Sequence, residues 1–346
     1  MNRRFFVLAV AITLGFTFVP HTILAAPPFY QGKTIRIVVG LPAGGGFDIY
    51  ARVIARHMGK HIPGNPTIIV DNMPGAGSLV AANWLYKVAK PDGLTIGFLH
   101  GTTLLKQALG QPGVEFDALK FRYIGAPMKE SGCFILNKKR GIKNVEEWMN
   151  SKTPVKIGGT APFADSMGNS TRVMKYVVGL PIQIVDGYKG TADIKLAVES
   201  GEIDGGSPEW NTAKTAWRKN LESGDMSIVL MVSYKRLPDF PPNVPLLIEL
   251  AKTDEQRQLI ELIIHKPRLS SRPLFLPPGA PKEQEQILRN AFAETMKDKE
   301  FLAETEKASM IIDPLSSEEL EKLINDMFKA PPAMIAKMKE IVLKKQ

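Results

Sequence analysis

The chain has one cysteine in 346 residues, Cys133. No intrachain disulfide can form, whatever the redox compartment. Cys133 sits in the apolar run Cys133-Phe134-Ile135-Leu136 and fits a small buried hydrophobe better than a nucleophile. The five histidines (His21, His57, His61, His100 and His265) are scattered. His57 and His61 stand four apart, a spacing able to hold a metal on a helix. Their neighbours Arg56, Lys60 and Pro63-Gly64 instead mark an exposed, basic helix end. No metal or cofactor is expected. There is no G-x-S-x-G elbow, no G-x-x-x-x-G-K-[ST] and no G-x-G-x-x-G. After the first 26 residues no run is long and apolar enough to span a bilayer. Lys and Arg are dispersed among acids, which argues against a nucleic-acid partner.

What is present begins with an export leader. Arg3 and Arg4 precede an apolar segment from Phe5 to Val19, and Leu24-Ala25-Ala26 supplies small residues for cleavage. No cysteine follows that could carry a lipid. Residues 1–26 are therefore expected to be removed, leaving a soluble periplasmic protein of about 320 residues, enough for two domains. The net charge is +9, or +7 without Arg3 and Arg4, a mild bias that suits solubility or steers anions.

The stretch Gly40-Leu41-Pro42-Ala43-Gly44-Gly45-Gly46-Phe47-Asp48 joins a strand-like run, Thr34 to Val39, to a segment with helical spacing at Ile49, Val53, Ile54 and Met58. Glycines at a helix N-terminus form either a tight turn without ligand or an anion site built on unpaired N–H groups. Asp48 either caps the helix or repels an anion. The same strand, small loop and helix pattern recurs. Strand 67–70 runs into Asn72-Met73-Pro74-Gly75-Ala76-Gly77-Ser78 and a helix to about 88. Strand 94–99 ends at His100-Gly101-Thr102-Thr103. Alternating strands and helices predict a parallel α/β sheet whose ligands bind beyond the strands' carboxyl ends.

A second α/β region follows residue 127. Strand 155–159 leads through Thr160-Ala161-Pro162-Phe163-Ala164-Asp165-Ser166 to a helix over 167–178. Strand 183–185 leads to Gly187-Tyr188-Lys189-Gly190 and helix 191–200. Ser207-Pro208-Glu209-Trp210 precedes helix 211–220, and a strand covers 227–232. The remainder is mostly helical, with a strand near 273–277 and a capping box at Ser316 and Glu319. Asp165, Asp204 and Glu209 are carboxylates without an accompanying nucleophile, as caps and solvent-facing acids are. Tyr188 and Trp210, near strand ends, serve either the core or a ligand.

Taken together, these segments resemble the tripartite tricarboxylate transporter substrate-binding proteins, the TctC or Bug family. The resemblance rests on Lys33–Val39 with Pro42–Asp48, Val70–Gly77, Pro91-Asp92-Gly93, Gly187–Gly190, Gly201–Asp204 and Pro277–Pro281, in the family's order. It implies an α/β, two-lobed, type II-like Venus flytrap without catalysis, each lobe a sheet flanked by helices. Lobe 1 is expected over 27–126 plus 236–346 and lobe 2 over 127–235, with hinges near 125–130 and 233–240. The resemblance further implies a monomeric receptor that binds a small carboxylate and hands it to TctA/TctB-like permease subunits. The alternatives are a receptor for a membrane sensor kinase and an exported enzyme using the glycine loops for an anionic substrate.

By position, the resemblance assigns ligand contacts to Ala43, Gly44, Gly45, Gly46, Phe47 and Asp48, and to Met73, Gly75, Ala76, Gly77 and Ser78. Gly101 and Thr102 join them from lobe 1. Thr160, Ala161, Phe163, Asp165, Ser166, Tyr188 and Glu209 are the lobe 2 counterparts. Phe47 replaces a hydroxyl residue common in the family, and Ala161-Pro162-Phe163 is bulkier than usual. With Trp210, these favour a carboxylate with an apolar or aromatic body over citrate. The alternative for Phe47 and Phe163 is a place in the core, and an approach of Arg52 or Arg172 to the cleft would favour a dicarboxylate.

Overall fold

The computed structural model describes residues 27–160 and 166–343. The leader over 1–26 and the expected contacts Ala161, Phe163 and Asp165 lie outside the described residues. The described strands are β1 (Thr34–Val39), β2 (Thr67–Asn72), β3 (Thr95–Phe98), β4 (Arg122–Gly125), β5 (Gly132–Asn137), β6 (Val155–Gly158), β7 (Ile182–Val185), β8 (Gly205–Gly206), β9 (Met226–Val232) and β10 (Leu274–Leu276). They form two sheets, ordered β2-β1-β3-β10-β4 and β7-β6-β8-β5-β9.

Alternation explains why each sheet is covered on both faces. Side chains of a strand point to opposite sides in turn. In β1, Ile35, Ile37 and Val39 join one apolar cluster with helix Gly46–Met58, while Val38 joins another with Ala81, Ala82 and Leu85. In β5, Phe134 and Leu136 face one cluster and Cys133 and Ile135 the other. Four pairings are parallel, β1 with β2, β1 with β3, β6 with β7 and β6 with β8, and they carry the predicted α/β units. β10 is antiparallel to both β3 and β4. It comes from late in the chain, so it inserts a returning strand into the first sheet.

The point of return differs from the expected one. The sequence places residues 236–346 as a block in the first lobe, with a crossing near 233–240. Leu247, Leu259, Ile260, Ile263 and Ile264 instead share a cluster with Val155, Ile157 and Val173 of the second region. The chain recrosses at 266–273, just before β10. Helix Pro332–Leu343 also packs beside helix Ser166–Val173, through Met338, Ile341 and Val342. The apolar faces of these helices need cover, and their periodicity does not say which sheet supplies it. Helix Thr102–Ala108 was not anticipated.

Candidate functional site

The first glycine loop is braced from within. Gly44 has φ +79°, which suits glycine. Its N–H donates to Asp48 Oδ2 at 2.9 Å, and Arg52 Nε donates to the same oxygen at 3.0 Å. The Arg52 hydrogen bond holds the Asp48 carboxyl below the usual carboxylate range. Asp48 therefore closes the loop rather than facing a ligand, and Arg52 is engaged with Asp48 and Asn72. The first bond of the helix runs from Ile49 N–H to Gly45 O at 3.0 Å. The N–H groups of Gly46, Phe47 and Asp48 thus lack an acceptor within the helix.

The second loop has an unusual backbone. Gly75, Ala76, Gly77 and Ser78 all have positive φ, at 150°, 45°, 59° and 69°. Two non-glycines in that region are costly unless surrounding bonds fix them. Buried Lys106 supplies such bonds, donating from Nζ to Ala76 O at 2.6 Å and Gly77 O at 3.1 Å. Burial pushes its ammonium pKa down to about 8. Ser78 Oγ donates to Gly40 O and accepts from His100 N–H, each at 3.2 Å. Its hydroxyl ties strand ends together. Gly101 N–H donates to Ser271 O at 2.8 Å, and Thr102 Oγ1 meets His100 Nδ1 at 2.7 Å. Thr102 is 1 % exposed, and its backbone N–H also reaches that ring nitrogen. This imidazole–hydroxyl pair locks the turn after β3.

Between the two sheets opens a cleft of about 650 Å³. Gly46, Phe47, Tyr50, His100 and Arg272 line it from the first sheet's side. Met167, Thr191, Glu209, Trp210 and Asp239 line it from the second, and Met128, Glu130 and Ser131 form the crossing. Phe47 is only 8 % exposed and packs on Phe98 and His100, so it serves core and cleft together. The Arg272 guanidinium lies 4.2 Å from the Phe47 ring centre and 4.6 Å from that of Tyr50. Its Nη2 stands 3.5 Å from Glu130, while Nε and Nη1 have no hydrogen-bond partner among the described residues. A Cβ on Gly46 would stand 3.6 Å from Arg272 Nη1, so the guanidinium adjoins the helix N-terminus. Opposite, Trp210 Nε1 donates to Asp239 Oδ2 at 2.9 Å, and Lys214 pairs with the same oxygen at 2.5 Å.

Of the expected contacts, the structure brings Gly46, Phe47 and Glu209 to this cleft. Ala43, Gly44 and Gly45 lie on the adjoining loop, Asp48 in the first turn of the helix that follows, and Met73 to Ser78 on the next loop. Tyr188 Oη donates to Glu202 at 2.6 Å, and the tyrosine does not line this cleft. Thr160 is buried beside Gly168. Ser166 begins its helix. Arg172 is 1 % exposed and paired with Asp186 at 2.5 Å, so it is committed inside its own lobe. Sequence reasoning missed Tyr50, Glu130, Asp239 and Arg272. Tyr50 was legible, lying one helical turn beyond Phe47. Nothing in Ser270-Ser271-Arg272-Pro273 signalled that the chain crosses there. His57 and His61 meet Glu304 and Asp298 at 2.6 and 3.1 Å. Lys60 also pairs with Asp298 at 2.9 Å, so the acids of this half-buried cluster are shared with neighbouring basic side chains.

Two sheets flanked by helices, joined by crossings beside a central cleft, define a two-lobed solute-binding fold. Solved structures agree. A TctC solute-binding protein from Polaromonas has a TM-score of 0.68 at 19% identity, covering 91% of this chain and 100% of that one. The MatC protein of Rhodopseudomonas palustris with bound malate scores 0.62 at 20% identity, over 90% and 99% of the two chains. An R. palustris protein with adipate scores 0.64 at 18% identity, over 90% and 97%. The chain belongs to the TctC family, the tripartite tricarboxylate transporter family receptors, whose model matches residues 50–339. A UPF0065 protein of Cupriavidus necator is 26% identical over 98% of both chains. The BugT protein of Bordetella pertussis is 24% identical over 64% of this chain and 67% of its own.

Proposed function

We propose that the protein is a periplasmic receptor that closes on a small carboxylate and delivers it to a TctA/TctB-like permease. The observation that carries this reading is the donor-rich corner of the cleft. Among the described residues, the helix N–H groups at Gly46 and Phe47 have no acceptor, and they adjoin an arginine with two nitrogens that have no partner there. Helix N-termini favour anions, and a guanidinium matches a carboxylate with paired N–H donors. Phe47, Tyr50, Met128, Met167 and Trp210 add an apolar lining, so the ligand is a carboxylate with an apolar body. Relatives solved with malate and adipate support a carboxylate of this size. Family membership and fold favour binding over catalysis, and the leader read at residues 1–26 fits export.

A thermal-shift screen tests this reading, because a ligand that binds only the folded state raises stability by mass action. Mono- and dicarboxylates with apolar bodies should raise the melting temperature, and their neutral amides should not. Equal shifts from acids and amides would remove the anion corner from the mechanism.

A further inference from the structure

The charges that line the cleft cancel. Among the described residues, four basic side chains and four carboxylates reach it. Arg272 Nη2 stands 3.5 Å from Glu130. Lys214 Nζ lies 2.5 Å from Asp239 Oδ2, and Lys129 Nζ lies 3.1 Å from Asp313 Oδ1. Lys235 is exposed, with Tyr234 and Asp313 for neighbours, and Glu209 is the fourth acid. His100 adds no charge. Thr102 N–H donates to its Nδ1 at 3.3 Å, and a ring nitrogen that accepts carries no proton.

The cations are not equally engaged. Lys214 is held closely, and its partner Asp239 is fixed in turn by Trp210 Nε1 at 2.9 Å. Lys129 is held by Asp313 and also by Pro314 O at 3.2 Å. Arg272 differs: its Nε and Nη1 have no hydrogen-bond partner among the described residues, and it adjoins the helix N-terminus at Gly46. The cleft thus offers one strong place for a carboxylate. A second carboxylate on the same ligand would meet lysines already neutralised, with Asp239, Asp313 and Glu209 repelling it. A neutral far end would meet Trp210, Met128 and Met167 without that repulsion.

Resting on the carboxylate-receptor reading above, we propose that the solute is a monocarboxylate with a neutral, apolar far end. Asp239 is the residue that turns dicarboxylates away, because it keeps Lys214 neutralised beside Trp210. Specificity is a difference of affinities, and this arrangement lowers the affinity for the doubly charged competitor.

The test is calorimetric titration of the purified protein with matched acids, hexanoate against adipate and benzoate against terephthalate. The titrations are run at fixed ionic strength and about pH 7.5, where every ligand carboxyl is ionised. In each pair that binds, the monoacid should bind about tenfold tighter or more. Asp239→Asn retains an acceptor for Trp210 and frees Lys214. It should move the ratio towards the diacid by about tenfold. A diacid bound as tightly as its monoacid, or a ratio unmoved by Asp239→Asn, would overturn the proposal and leave the receptor reading standing. Binding of neither member of either pair would remove that reading and the proposal with it.

Discussion

Replacing Lys106 with methionine should change how stability depends on pH between 7 and 9. The ammonium is buried, 7 % exposed, and holds the carbonyls of Ala76 and Gly77. Its pKa falls from 10.5 to about 8 on folding. Between those values the unfolded chain binds more protons than the folded one, so stability rises with pH. With these values the gain from pH 7 to pH 9 is about 1.4 kcal/mol. Burial raises the pKa of the Cys133 thiol and of the Tyr30 and Tyr123 hydroxyls, and that of Tyr188 to about 12. A group whose pKa rises on folding loses stability as pH climbs past its unfolded value. These groups, together with Tyr50, whose pKa burial also raises, therefore oppose Lys106 from about pH 9 upward. The measurement is urea unfolding of wild type and Lys106→Met at steps from pH 7 to pH 9. Wild-type stability should rise relative to the variant by about that amount. Parallel profiles for the two proteins would refute the assignment of a buried, depressed ammonium to this loop.

Other outcomes follow from the same geometry. A Cβ at Gly40 would lie 2.6 Å from Ser78 Cβ and 2.8 Å from Leu99 Cδ2. Gly40→Ala should thus cost about 1–3 kcal/mol in chemical denaturation. Trp210→Ala should weaken carboxylate binding about tenfold or more in calorimetry, from lost stacking and area; unchanged affinity would place Trp210 in the core alone. Small-angle scattering should show a more compact particle at ligand saturation, with closure about 126–131 and 266–273. Identical profiles with and without ligand would count against closure.

Much of the fold was legible because its signals are local. Helix Thr191–Ser200 coincides with its predicted span, and the Ser316–Glu319 capping box is present. The glycine-rich loops mark the ends of β1 and β2 as expected. What the sequence could not convey is which partner each apolar face finds. Helix Asp254–Ile260 and its continuation were visible as periodicity, yet their burial against the second sheet depends on the whole chain's path. The site was legible in the same uneven way. Gly46 and Phe47 belong to a motif read from spacing, whereas Arg272 enters the cleft only because β10 returns between β3 and β4. Ser78 and Asp48 carried the right polarity for a ligand, but the structure gives both internal partners.

The most direct measurement of the central claim is calorimetric titration of wild type and Gly46→Val with succinate, benzoate and citrate. A valine at Gly46 puts methyl groups where the anion is proposed to meet the helix N-terminus and Arg272. The account predicts saturable one-to-one binding of at least one acid with an apolar body, weaker binding of citrate, and loss of binding in the folded variant. Unchanged affinity in Gly46→Val, or tight citrate binding with no response to the other acids, would contradict it.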